Sequence, residues 1–330
     1  MTSPPVLRPE TLSAADVDEA LRTWGGFLLS VRNAQLHWRL AIAAARDLFA
    51  RPRAAKANFA IERSSHFRGW SEMRNERDWR EQFHLGRDRI GGNQLPPFLT
   101  LDGPNLWPRD AEWRRAITSY MEATTRVGEM VLEKVGEALG LDETPFANLS
   151  RDGYLVMKLI CYHPQSSSAG ILHQGVAPHL DFSLLTLTLQ DGPGLEVHAP
   201  EGGWVRIEPT PYTLWVHAGE LLQFASGDRY RACPHRVINH SLDRRRVSIP
   251  LFVNPPLKAS VRLLADTSRS RAGIPTAGKE HIHHVLVPDA HFEPFHFGEA
   301  EWRRKGLGRW CALCVGEPHA DSRLTVGAFA

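Results

Sequence analysis

Val176-Ala-Pro-His-Leu-Asp-Phe-Ser-Leu-Leu-Thr-Leu-Thr-Leu-Gln190 is the stretch on which the reading of this 330-residue chain turns. In extended backbone, side chains at i and i+2 share a face. His179 and Asp181 therefore point the same way, at the mouth of a strand that continues as leucine- and threonine-rich sequence. His235 follows fifty-six residues after His179. Two imidazoles and a carboxylate supply three ligands to one metal ion and leave the other half of an octahedron open.

Working outward, residues 154–254 read as strands: Tyr154–Tyr162, Leu184–Leu189, Leu195–Val197, Trp204–Ile207, Leu214–Val216 and Val247–Val253. They are punctuated by Gly192-Pro-Gly194, Gly202-Gly203, Pro209–Pro211 and Ser226-Gly227. Short strands at this spacing form a sandwich or barrel. Upstream, Ser13 caps a short helix over 12–24, Gly25–Val31 reads as a strand, and Gln35–Ala50 as a helix closed by Pro52. Residues 56–108 are irregular yet carry Phe67, Trp70, Trp79, Phe83 and Trp107, so they read as ordered loop and short strand. Trp113, Ile117, Met121, Val127, Val131, Val135 and Leu139 recur at threes and fours and predict one long helix over 110–140, ended by Gly140. The fold class expected is mainly β with flanking α: a double-stranded β-helix (jelly roll) core with N-terminal helices including one long helix. Residues 1–150 would frame the core, 151–256 form it, and 257–330 pack on it with a short helix near 298–305, all as one structural domain.

Composition narrows the partners. The formal charge of +2, with 42% hydrophobic and 23% charged residues, gives no basic or acidic field, so nucleic acid and anionic membrane are poor partners. No apolar run reaches the roughly 18–20 residues a bilayer span needs, and the first residues do not read as a signal peptide. The four cysteines are not needed as staples, and a reducing cytoplasm is the expected setting. The partner expected is a small molecule, with the chain a monomer or homodimer.

Two histidines and a carboxylate with open positions suit non-heme Fe(II) and oxygen chemistry. Arg246 and Ser248 follow His235 by eleven and thirteen residues and share one strand face. A guanidinium fork beside a hydroxyl suits a carboxylate ligand; the bland alternative is a solvated cation, the reading that fits Arg244 and Arg245.

This pattern of His-x-Asp, a distant His and Arg-x-Ser resembles the isopenicillin N synthase family of 2-oxoglutarate- and iron-dependent oxygenases. Further matches are Asp102-Gly-Pro-Asn-Leu-Trp-Pro108, the Leu-Thr-Leu run, Gly203-Trp204, the Gly219-Glu-Leu-Leu222 turn, where many members have Gly-Asp, and Pro255-Pro256. The stretch Asn148–Tyr154, continuing to Cys161-Tyr-His-Pro-Gln165, is similar to the bacterial ethylene-forming branch. The resemblance implies that His179, Asp181 and His235 hold Fe(II), and that Arg246 and Ser248 bind the distal carboxylate of 2-oxoglutarate. With O2, a C–H bond of a small amino-acid- or peptide-derived metabolite would be oxidised, releasing succinate and CO2. Tyr162 lies where the family often turns a hydroxyl toward the cosubstrate, or is a half-buried strand tyrosine. Lys158, Phe182 and Phe252 stand at substrate-facing positions, or are respectively a surface lysine, pocket-edge packing and core. The rival readings are an iron oxidase or cyclase using no 2-oxoglutarate, an ethylene-forming enzyme, and a jelly-roll binding protein without chemistry.

Other motifs carry less. His173 and Gln174, after a Ser/Gly-rich loop, are candidates for a cover. Cys311-Ala-Leu-Cys314 lacks a second pair at zinc-finger distance, and His281-Ile-His-His284 with His291 and His296 reads as polar loop. Asp191-Gly-Pro-Gly194 is a hairpin turn, since no helix follows it.

Overall fold

The computed structural model describes residues 3–31, 35–90, 96–141, 146, 149–164, 174–239, 244–264 and 294–306. The loop at 166–173, the histidines at 281–284 and 291, and the cysteines at 311 and 314 lie outside them. Strand β1 (Val6–Leu7) and helix α1 (Ala14–Thr23) come first, then β2 (Gly26–Ser30), α2 (Gln35–Ala50) and a short α3 (Arg53–Lys56). A hairpin of β3 (Gly69–Arg74) and β4 (Trp79–Gly86) leads to the long α4 (Ala111–Ala138). After α5 (Leu149–Asp152) come β5 (Tyr154–Tyr162), β6 (Gln174–His179), β7 (Leu185–Gln190), β8 (Leu195–His198), β9 (Trp204–Arg206) and β10 (Thr213–Ala218). Then follow α6 (Glu220–Ala225), β11 (His235–Ile238), β12 (Arg246–Asn254), β13 (Ser260–Val261), β14 (Phe295–His296) and α7 (Phe297–Arg304).

Eight strands build one sheet in the order β1-β2-β10-β7-β12-β5-β4-β3, and four build a second, β6-β11-β8-β9. The larger sheet is antiparallel apart from the β1–β2 pair. Its two faces have different work, which β5 makes plain. Leu155, Met157, Leu159 and Cys161 join the main core with the helices, whereas Ile160 and Tyr162 join a smaller cluster with Val176, Leu195, Val197, Trp215 and Val237 between the sheets. Period-two alternation sorts the strand into these environments.

The helices form for local reasons and pack for tertiary ones. Ser13 accepts the Asp16 N–H while the Asp16 carboxylate takes the Ser13 N–H, a reciprocal cap on α1. Asp110 caps α4 by accepting from Glu112 and Trp113 N–H, and Gly140 at φ +70 ends it. The buried stripe of α4 includes Trp113, Ile117, Tyr120, Val131 and Val135, each such side chain stabilising by roughly 1.5–3 kcal/mol. Where α4 crosses the sheet it carries Gly128, whose missing Cβ would stand 3.1 Å from Val253.

Pro250 interrupts a central strand, an unusual place for a residue without an N–H. The β5–β12 register pairs Ser248 with Ile160 and Leu251 with Met157 and skips the two positions between. Tyr120 of α4 donates its hydroxyl to the Ile249 carbonyl at 3.1 Å, satisfying a group beside that gap.

Three features differ from, or sharpen, the sequence reading. Residues 69–86 form a regular hairpin at the sheet edge rather than loop with short strand. Its polar Arg80, Gln82 and His84 are buried, so the strand never shows the polar-outside alternation that marks a half-exposed strand. The Gly219-Glu-Leu-Leu222 turn is the start of helix α6, and β6 and β11, too short and polar to stand out, pair with each other. Among the described residues no helix is long and apolar enough to cross a membrane.

Gly219 seats the turn that follows β6 against α6: a Cβ there would meet the Ser183 carbonyl at 2.3 Å and the Asp181 carbonyl at 2.6 Å. Gly219→Ala is expected to destabilise the fold by about 1–3 kcal/mol, read as a lower midpoint in urea unfolding; an unchanged midpoint would contradict the close approach.

Candidate active site

Two cross-strand pairs, one from each sheet, make the site. In the small sheet His179 of β6 is the direct partner of His235 of β11, and their rings lie 4.2 Å apart. In the large sheet Thr186 of β7 is the partner of His217 of β10. Asp181 stands between them, just past the end of β6 in the turn that carries the chain to β7. Its own carbonyl accepts the Glu220 N–H at 2.8 Å, tying that turn to α6.

The ligand-capable atoms of His179, Asp181 and His235 all lie within 4.8 Å of one another. Asp181 Oδ1 is 3.5 Å from His179 Nε2, and Oδ2 is 3.7 Å from His235 Nε2. Each histidine donates its Nδ1–H to the backbone carbonyl two residues before it, His179 to Ala177 at 2.9 Å and His235 to Cys233 at 3.0 Å. Those bonds fix the tautomer and leave both Nε2 lone pairs aimed at the shared space. Burial, with His179 beside it, pushes the His235 imidazole down to about 3, so it is neutral, as a ligand must be.

Oδ2 of Asp181 is already occupied, accepting from Thr186 Oγ1 at 2.7 Å and His217 Nε2 at 2.9 Å. Burial would raise this carboxyl, but the facing histidines outweigh it and hold it well below the usual carboxylate range. Oδ1 is the oxygen left for a metal. The donor set, two imidazole nitrogens and one carboxylate oxygen, fits Fe(II). His217 and Thr186 escape a reading by motif; the signal for His217 was a lone histidine inside the apolar run Leu214-Trp-Val-His217.

Arg246, Ser248 and Tyr162 line the same cavity, as do Lys158, Phe182 and Phe252. Arg246 is buried, its Nε donating to the Gly192 carbonyl at 3.0 Å and its Nη2 to Gln190 Oε1 at 2.8 Å. Its Nη1 is buried with no hydrogen-bond partner among the described residues. The guanidinium lies 4.8 Å from the Tyr162 ring centre. The Asp191–Gly194 turn thus buttresses the arginine from behind, and Nη1 is left with bonding capacity that an anion in the cavity lined by this residue could use. Phe182 stacks on Phe295 and Phe297, and Phe252 lies under the Lys158 ammonium at 5.1 Å. Of the outlying histidines, His296 caps α7 and packs on Phe98, away from the metal-capable trio.

Glu81, Cys161 and His163 form a second ligand-capable trio. Here the carboxylate is fully engaged, by Lys56 at 2.5 Å, His163 at 2.5 Å and Trp70 Nε1 at 2.8 Å. Burial would raise Glu81, but these donors hold it at about 2, whereas burial pushes the Cys161 thiol up to about 12. A protonated thiol and a saturated carboxylate make this an ion-pair clamp joining α3 to the hairpin, not a metal seat.

His217→Phe keeps a ring in place but removes a donor to Asp181. Fe(II) affinity should fall about 10–100-fold, measured by anaerobic titration; unaltered affinity would mean that the His217 bond does not orient the carboxylate.

The sequence model of the 2OG-Fe(II) oxygenase superfamily matches residues 153–255, and that of the non-haem dioxygenase in morphine synthesis N-terminal region matches residues 8–110. The chain is 32% identical over 226 residues to a 2-oxoglutarate-Fe(II) type oxidoreductase of Emericella nidulans, covering 63% of this chain and 64% of that one. It spans 56% of a probable iron/ascorbate oxidoreductase of Dictyostelium discoideum, so it covers less than two thirds of both relatives. It is 30% identical over 307 residues to validamycin A dioxygenase of Streptomyces hygroscopicus subsp. limoneus, covering 83% of each chain. A homoarginine-6-hydroxylase of Arabidopsis thaliana is 27% identical over 227 residues, 66% of this chain and 62% of that one. In fold, a Caulobacter crescentus structure assigned to the 2OG-Fe(II) oxygenase family superposes with a TM-score of 0.71 at 22% identity, over 92% of this chain and 99% of that one. Matched over 83% of its length by a dioxygenase at 30% identity, and over residues 153–255 by the superfamily's own sequence model, the chain belongs to the 2OG-Fe(II) oxygenase superfamily.

Proposed function

We propose that the protein is an Fe(II)- and 2-oxoglutarate-dependent oxygenase that hydroxylates a C–H bond of a small amino-acid- or peptide-derived metabolite, releasing succinate and CO2. The observation that carries this reading is that one cavity is lined both by the metal-capable trio and by Arg246 with its unpartnered Nη1. His179 Nε2, His235 Nε2 and Asp181 Oδ1 would hold the iron, which when bound supplies the binding and activation of dioxygen.

The chain's own residues do the rest. Arg246 would take the distal carboxylate of 2-oxoglutarate through Nη1, with the Ser248 hydroxyl as a second donor on the same strand face. Gln190 and the Gly192 carbonyl hold the guanidinium in place, so little freedom is lost when the diacid binds. Ile160, Leu195 and Val237 line the wall near the metal-capable trio and exclude water. Phe182, Phe252 and Lys158 would face the substrate. The homoarginine-hydroxylating relative supports an amino-acid-like substrate. Within the superfamily, the isopenicillin N synthase-like pattern and the stretch at 148–165 favour that group and its ethylene-forming branch; ethylene over enzyme, 2-oxoglutarate and arginine would establish the latter.

Anaerobic addition of Fe(II) and 2-oxoglutarate should give a weak visible charge-transfer band. His179→Ala and Asp181→Ala should each abolish succinate formation, and full turnover in either would end the proposal. Arg246→Met should raise KM for 2-oxoglutarate by about tenfold or more, the loss expected for a charged hydrogen bond. Oxygen uptake that ignores 2-oxoglutarate would point instead to an iron oxidase of the isopenicillin N synthase kind.

A further inference from the structure

The cavity has a second cationic region that the cosubstrate does not explain. Arg80 and His84 of β4, Lys158 of β5, and Glu301, Arg304 and Lys305 at the end of α7 all line it. Arg80 has a partner in Asp78 at 3.1 Å. Glu301 serves two cations at once, Arg304 at 2.7 Å and Lys305 at 3.1 Å. Lys158 has no carboxylate partner among the described residues; its ammonium rests only against the Phe252 ring. Four cations thus face two carboxylates, Asp78 and Glu301, an excess of two positive charges. Asp181 acts on Lys158 only at a distance, its carboxylate being engaged by Thr186 and His217 and faced by His179 and His235, and Arg246 stands apart, four residues along β5 from Lys158 by the register that sets it opposite Tyr162, roughly 13 Å of strand.

His84 is the direct cross-strand partner of Lys158. It is buried, and neither of its ring nitrogens has a hydrogen-bond partner among the described residues. Burial, then the surrounding cations, hold it neutral, well below the usual histidine range. Two adjacent groups on one wall, a half-buried ammonium and a buried imidazole, have no hydrogen-bond partner among the described residues. Such groups cost stability until something supplies the missing charge and lone pairs. Burial pushes Lys158 itself down to about 7, with Arg80, Arg304 and Lys305 adding to the effect.

Resting on the oxygenase reading above, we infer that the substrate carries a carboxylate, which docks on Lys158 with His84 beside it and so directs the adjacent carbons toward the metal. The proposal separates two acid receptors in one cavity, Arg246 for the cosubstrate and Lys158 for the substrate.

Matched probes test it: N-acetyl amino acids and dipeptides, each as free acid, methyl ester and carboxamide. Unfolding temperature is followed anaerobically on the full chain, with and without Fe(II) and 2-oxoglutarate. At least one acid should raise the unfolding temperature where its ester and amide do not. Lys158→Met should lose that response, its affinity falling about 10–100-fold, while keeping the rise given by Fe(II) with 2-oxoglutarate; Arg246→Met should do the reverse. Esters that match acids, an acid response intact in Lys158→Met, or a panel with no acid response would each overturn the proposal. So would loss of the 2-oxoglutarate response in Lys158→Met, which would assign the lysine to the cosubstrate. A wild-type protein that ignores Fe(II) and 2-oxoglutarate would instead sink the oxygenase reading, and the acid-against-ester contrast in the metal-free chain would still decide the anion site. Lys158→Gln repeats the comparison should the methionine variant fail to fold.

Ligand-free Lys158→Met should also unfold at a higher temperature than wild type. The lysine is protonated in the unfolded chain below about 10.5 but resists protonation in the fold down to about 7, so its cost grows as pH falls through that window. The gain should accordingly be full near pH 7 and fade toward pH 10.5, with Arg80, His84, Arg304, Lys305, Glu301 and Asp181 the charged and titratable groups facing the site.

Discussion

A buried carboxylate is expensive unless donors and facing groups compensate it, and the arrangement around Asp181 answers that constraint. Thr186 and His217, cross-strand partners in the large sheet, engage Oδ2. His179 and His235, cross-strand partners in the small sheet, face the same group. The aspartate therefore marks the point where the two sheets are held together, in the turn by which the chain passes from one to the other. Remove the register of either sheet and the carboxylate is left as an uncompensated charge.

The large sheet inverts the usual economy of a half-exposed strand. Its apolar face is covered by α1, α2 and α4, and its polar side chains point into the cavity rather than at bulk water. Arg80 and His84 on β4, Lys158 on β5 and Arg246 on β12 are all placed this way. Some are offset locally, as Arg80 is by Asp78 and Arg246 by Gln190 and the Gly192 carbonyl. Others keep unused bonding capacity, and that residue of unmet need is where ligands gain their affinity. A cavity of this kind trades stability of the empty protein for discrimination among anions.

Much of this was legible from residues alone. The strand pattern from Tyr154 to Asn254 and the capped helices α1 and α4 rest on short-range periodicity and residue chemistry, whereas the pairing of His-x-Asp with a distant His and Arg-x-Ser was legible through its resemblance to a family pattern. The β3–β4 hairpin was not legible, because a strand buried on both faces with polar residues turned inward carries no alternation against water. Nor was the helical turn at α6, whose start is set by the contact of Gly219 with the Asp181 and Ser183 carbonyls.

By itself, then, the sequence determined the elements with a clear period or cap and which side chains have the chemistry to bind a metal and an acid, since propensity, period and pKa class are properties of residues and near neighbours. Only the tertiary structure decided that His217 and Thr186 support Asp181, that the α7 cations join Lys158, Arg80 and His84 in one wall, and that Glu81 and His163 form a clamp. Those outcomes depend on register between strands far apart in the chain and on which charges share a low-dielectric space, and neither quantity is written in any local window.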